Sequence, residues 1–163
     1  MTRSLMALPK TRARCWPYKH QQWLQLASSK LESAQIIGLR HCIIDPDSDN
    51  AAAMRTQWSG VLVDKFRSNC KDVVLHAIAA VERGMVESPE IADELVVLSE
   101  NRDDAIKAKA MLALTRLGKL DSTTLELAAR MLDSREKFVT FAGLDALCSS
   151  NEVSDQALSL IHI

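Results

Sequence analysis

A helical repeat of about 33–34 residues runs from Cys70 to the end of the chain. Three segments lie over one another: Val73–Glu100, Ile106–Ser134 and Val139–Leu158. A unit of this length cannot bury its apolar face alone, so it must stack on its neighbours as an α-solenoid. The register is set residue by residue. Val73, Ile106 and Val139 open the first helix of each unit, and Ala77, Ala110 and Gly143 share one small position. Ile78, Met111 and Leu144 take the next apolar one, then Ala80-Val81, Ala113-Leu114 and Ala146-Leu147. Small residues in one helix facing large ones in the next allow close approach.

The turns carry matching chemistry. Gly84 and Gly118 are expected just past a helix end, where a left-handed backbone suits glycine. Ser88, and Asp121 or Ser122, are expected N-caps for the second helices, with Pro89 at a first helical position. Asn101 or Asp103 caps the following unit. Arg83 and Arg116 align before the turns and read as helix-end charges.

The stretch Ile106–Gly118, followed by Leu127–Asp133 and by Phe138-Val139, resembles HEAT-like repeats, especially the short subfamily named after bilin-lyase subunits. That pattern has an aliphatic residue and Arg, then alanines, Leu-Gly and Leu-x-Asp. Here Val74, Lys107 and Thr140 stand where it has Arg, and Ser99 stands in one unit where Asp133 stands in another. The resemblance covers about 90 of the 163 residues. It implies a right-handed α-solenoid of antiparallel helix pairs, of HEAT-like or armadillo-like type. A tetratricopeptide unit has a similar length, but none of its Trp, Tyr and Pro positions falls in register.

Composition agrees with helix-on-helix packing: 47% of residues are apolar and only 4% aromatic, and no alternating strand segment stands out. The expected organisation is a basic, unstructured arm over residues 1–17, then N-terminal helices over 18–69 acting as a diverged repeat or cap. Repeat units follow at about 70–102, 103–134 and 135–163, the last incomplete. Within 18–69, helices are expected over Tyr18–Ser28, Leu31–Ile44 and Ala51–Arg67. Trp23, Leu24 and Ala27 share one apolar face; Ile36, Leu39, His41-Cys42 and Ile43 share another; Met54, Trp58, Val61, Leu62 and Phe66 share a third.

The net charge of −1 hides an asymmetry. Residues 1–31 hold Arg3, Lys10, Arg12, Arg14, Lys19 and Lys30 and no acid, whereas the remainder has 14 basic against 21 acidic residues, a net −7. A basic arm beside Trp16, Trp23 and Trp58 offers a nucleic-acid surface, although apolar helix faces make Trp23 and Trp58 core residues first. The motif of HEAT-like DNA alkylation-repair glycosylases is not found.

No catalytic or cofactor constellation emerges. Asp45, Asp47 and Asp49 have the 1-3-5 spacing of a calcium loop, but Asn50 and Thr56 replace its glycine and bidentate glutamate, so a helix-capping loop is expected. His41 and Cys42, with Cys70 and His76, lack metal-ligand spacing, and neighbouring residues on a helix point about 100° apart. No phosphate loop or nucleophile elbow occurs. Cys15, Cys42, Cys70 and Cys148 show no paired spacing, which fits a reducing, cytoplasmic setting. No apolar run reaches the roughly 18 residues of a membrane span.

The last six residues, Leu158–Ile163, can be encoded by CTG TCT CTT ATA CAC ATC, which resembles the transposase end sequence of sequencing libraries. They are expected to be a read-through scar on a longer repeat protein; the other reading is a natural end that docks on a partner or a second copy. The functional expectation is a non-enzymatic scaffold for protein–protein interaction, without metal or cofactor. The alternatives are nucleic-acid binding through the basic arm and a lyase-associated subunit.

Overall fold

The computed structural model describes residues 16–45, 47–84 and 86–150. The expected arm over 1–17 and the segment Leu158–Ile163 therefore fall outside the described residues, apart from the first turn of one helix. Eight helices and no strand occur among the described residues. They are α1 (Trp16–Ala27), α2 (Glu32–Arg40), α3 (Ala51–Phe66), α4 (Lys71–Gly84), α5 (Pro89–Ser99), α6 (Asp104–Arg116), α7 (Ser122–Met131) and α8 (Lys137–Ser149).

The helices form two layers. In one, α2, α4, α6 and α8 each pack on the next. In the other, α1, α3, α5 and α7 cover them pairwise: α1 lies on α2, α3 on α4, α5 on α6 and α7 on α8. Short turns between paired helices make them antiparallel. Helices α4 and α5, consecutive in the chain, touch far less than α3 and α4 do. This neighbour-on-neighbour packing is what a helical repeat requires.

The periodic apolar residues fill the space between the layers. Trp58, Leu62, Ile78, Val81, Leu95 and Leu114 are wholly buried. One cluster spans α1 to α6, and a second joins Ala108 and Met111 of α6 to Leu127, Ala128 and Met131 of α7 and to Val139, Ala142 and Ala146 of α8. The shared small position works as expected at Gly143. A Cβ there would lie 2.6 Å from the Ala128 carbonyl oxygen, so only glycine lets α8 approach α7 this closely.

Capping follows the sequence reading. The Ser88 hydroxyl accepts from the Ile91 amide at 3.2 Å, with Pro89 in the first turn. Asp103 Oδ1 accepts from the amides of Ala105 and Ile106 at 2.9 and 3.2 Å. Asp121 Oδ1 accepts from the Thr124 amide and hydroxyl at 2.8 and 2.7 Å. An ion pair with Lys71 Nζ, 2.6 Å from Asp103 Oδ2, is the largest influence holding the Asp103 carboxyl below its usual range, and the cap amides add to it. The Thr124 amide and hydroxyl do the same for Asp121.

Three local expectations are corrected. Gly118 has φ 65°, and the Lys119 amide reaches back to the Leu114 carbonyl at 3.0 Å, closing α6 as a left-handed glycine should. Gly84 does not act this way. It is the last residue of α4 without a positive φ, and a Cβ there would meet Cys42 Sγ at 3.0 Å and Val86 Cγ2 at 3.1 Å, so its small size serves packing. The helix expected over Leu31–Ile44 ends at Arg40. Beyond it the backbone turns, with the Cys42 amide on the Leu39 carbonyl and the Ile43 amide on the His41 carbonyl, and Cys42 and Ile44 are buried while Ile43 between them is exposed. That turn takes Ile43 off the helical face that would have held it. Leu144, aligned with the wholly buried Ile78 and Met111, is 39% exposed because α8 is the last helix described in its layer.

Candidate functional site

The residues that the sequence offered for chemistry are dispersed. Asp45 Oδ1 accepts from the Asp47 amide at 3.1 Å, an Asx-type turn that ties up the first carboxylate of the acidic loop. Asn50 occupies the N-cap position of α3, but its side chain makes no capping bond.

His41, Cys42 and His76 also part company. His41 stacks on Trp23 with ring centroids 4.1 Å apart. Cys42 is wholly buried, and burial pushes its thiol up to about 12, which removes the thiolate a nucleophile or ligand needs. His76 Nε2 accepts from Arg40 Nε at 3.0 Å, which leaves Nδ1–H to donate to the Asp72 carbonyl at 2.7 Å. One ring nitrogen thus joins α2 to α4 and the other is spent within α4. Among the described residues, no group of three or more His, Cys, Asp or Glu is placed to hold a metal ion.

Trp23 and Trp58 do not line a common surface. Trp58 is wholly buried, and its indole Nε1–H donates to His20 Nδ1 at 3.3 Å with the rings edge to face. It is therefore closed to base stacking. Trp23 is half-buried against the core. The side chain of Trp16 and the basic residues Arg3, Lys10, Arg12 and Arg14 lie outside the described side chains.

The helix-end arginines do more than the sequence suggested. Arg83 reaches from the end of α4 to the Leu39 carbonyl near the end of α2, and Arg116 reaches from the end of α6 to Glu82 near the end of α4, at 2.8 and 2.6 Å. Aligned residues thus stitch successive helices of one layer. Arg67, just past α3, pairs with Glu94 of α5 and links the other layer.

Two open clefts occur at equivalent places. One of about 560 Å³ lies between α3 and α5, lined by Arg55, Ser59, Gly60, Glu87, Ser88 and Glu90. The other, about 350 Å³, runs from α5 to the start of α7 and includes Asp93, Val96, Lys119 and Asp121. Both begin at a capped helix start, and Ser59 and Ser88 share a hydrogen bond of 2.9 Å across the first. In the first, the Glu90 carboxylate hydrogen-bonds the Ser88 side chain at the same helix start, and both clefts are open seams between stacked helices.

The feature that sequence reasoning missed is on α8. Phe138, Phe141 and Leu144 are 46%, 62% and 39% exposed, with Cys148 also exposed one turn on. Spaced at three, three and four residues, they form one apolar stripe opposite the buried face of Val139, Ala142, Gly143 and Ala146. The signal was present: Phe138 and Phe141 stand where α6 has Ala105 and Ala108. No helix among the described residues is long and apolar enough to cross a membrane. No protein-family model matches this chain, and no curated protein is significantly similar to it.

Proposed function

We propose that this chain is a right-handed HEAT-like α-solenoid that works in the cytoplasm as a non-enzymatic scaffold for protein–protein interaction, with the outer face of α8 as its contact surface. The apolar stripe of Phe138, Phe141 and Leu144 carries the reading, because exposed aromatic residues in a row on one helix face mark an interaction site. The spread of the titratable side chains over caps and interhelical bonds supports a structural role for them.

The test is photo-crosslinking in cells. A benzoylphenylalanine placed at Phe141 is expected to form a covalent adduct with protein. The same group at exposed Lys109 on α6 is the control and is expected to form none. No adduct at position 141 would overturn the scaffold reading.

A further inference from the structure

The stripe on α8 has counterparts inside the stack. Phe141 and Leu144 lie 33 positions beyond Ala108 and Met111 of α6. Those two are 4% and 0% exposed because α8 lies on them, presenting Val139, Ala142 and Ala146. One unit earlier, Ile78 is wholly buried and Leu75 is packed on the core, with α6 lying on α4. Among the described residues, helix α8 therefore leaves uncovered the face that α4 and α6 use to seat another helix.

The residues on that face are arranged symmetrically about Phe141. Phe138 and Leu144 stand three positions to either side, and Lys137 and Asp145 four positions to either side. Lys137 is exposed and Asp145 half-buried, and neither takes part in an ion pair among the described residues.

We infer that two copies of this chain pair through α8, antiparallel, about a two-fold axis at Phe141. This deepens the scaffold reading and rests on it. In that arrangement Phe141 meets its own copy, and Phe138 of one chain comes level with Leu144 of the other. Lys137 comes level with Asp145 of the second copy, and the two-fold axis makes that pairing twice. Such self-complementarity is what an isologous interface demands. One helix a side places the contact below the roughly 1,200 Å² of stable interfaces, so the dimer dissociates on dilution.

Sedimentation velocity of the whole chain over a concentration series reads this directly. The mass is expected to rise from 18.1 kDa towards twice that value. Phe141→Glu is expected to stay monomeric throughout, with an unchanged circular-dichroism spectrum. Lys137→Asp alone and Asp145→Lys alone should each weaken the dimer roughly tenfold, and the two together should restore it. A wild type that stays monomeric at the highest concentration overturns the proposal, as does a dimer indifferent to Phe141→Glu. A monomer whose crosslinker at position 141 still captures a different protein refutes the second copy and leaves the scaffold reading standing. A monomer with no adduct refutes both.

Discussion

Arg83 donates a hydrogen bond of 2.8 Å to the carbonyl of Leu39, fastening the last turn of α4 to the last turn of α2. The bond places a cation where helix α2 presents unsatisfied carbonyls and the negative end of its dipole. Arg116 occupies the matching position one unit later, but its partner is the carboxylate of Glu82. One residue type at one register position thus joins α4 to α2 and α6 to α4, by two different acceptors.

The second of these links is the more consequential to break. The Glu82 side chain is only 9% exposed, whereas that of Arg116 is 60% exposed. Arg116→Ala leaves a nearly buried carboxylate unpaired and is expected to cost about 1–3 kcal/mol in urea denaturation. Adding Glu82→Leu should recover most of that loss, because an apolar pair of similar size removes the stranded charge. A midpoint for Arg116→Ala equal to that of wild type would show that the ion pair carries no stability, and equal midpoints for the single and double variants would show that the stranded carboxylate costs nothing.

Three glycines are expected to respond differently to alanine. Gly143→Ala drives a methyl into the Ala128 carbonyl and should cost about 1–3 kcal/mol. Gly118→Ala has open space around it, so only its left-handed backbone opposes the change, at about 1 kcal/mol. Gly60 lies within α3 with nothing near its missing Cβ, so Gly60→Ala should stabilise by about 0.5–1 kcal/mol. The ranking of thermal midpoints checks all three.

Alkylation should sort the cysteines by burial. Cys148 is exposed and is expected to react with iodoacetamide in the folded protein, whereas Cys42, whose thiol is pushed up to about 12, should react only on unfolding. Site-resolved mass spectrometry with and without urea reads this. Labelling of Cys42 at the rate of Cys148 without urea would mean that the α2–α4 seam opens freely.

His20 supplies a pH dependence. Burial lowers its pKa from 6.5, opposed in part by the Gln57 side chain. The folded-state value lies below the unfolded one, so as pH falls through about 6.5 the unfolded chain takes up a proton that the folded chain refuses. Stability is therefore expected to decline from there down to the folded-state value. Protonation also turns Nδ1 into a donor and ends its acceptance from Trp58. Between about pH 7.5 and about pH 5.5 the urea midpoint of wild type should fall, and that of His20→Phe should fall less. Asp103 and Asp121 act lower: their depressed values stabilise the fold above the ordinary aspartate range and lose that contribution as pH falls through the folded-state values. Parallel curves for wild type and His20→Phe would remove His20 from this account.

What the sequence disclosed follows from how local each feature is. Ser88, Asp103 and Asp121 were legible as caps because each carries its acceptor to amides two or three residues on. Gly84 and Gly118 look alike in sequence, yet one lies against Cys42 and the other turns left-handed, and only the partner across the layer tells them apart. Cys42–Ile44 left the helix where a turn after Arg40 seats Cys42 against Gly84 of α4. The α8 stripe was hidden for the opposite reason. Leu144 aligns with two buried residues, and alignment cannot say that no helix among the described residues stacks on it.

The division of the core has a mechanical consequence. Helix α6 faces the larger cluster with Ile106, Ala110 and Leu114 and the smaller one with Ala108 and Met111. Opening the smaller cluster detaches α7 and α8 and leaves the larger one intact, so the molecule can fray from one end like a zip while the remainder stays shut. Amides of α7 and α8 should then exchange with deuterium sooner than those of α3 and α4, and pairing through α8 would slow the end that otherwise opens first.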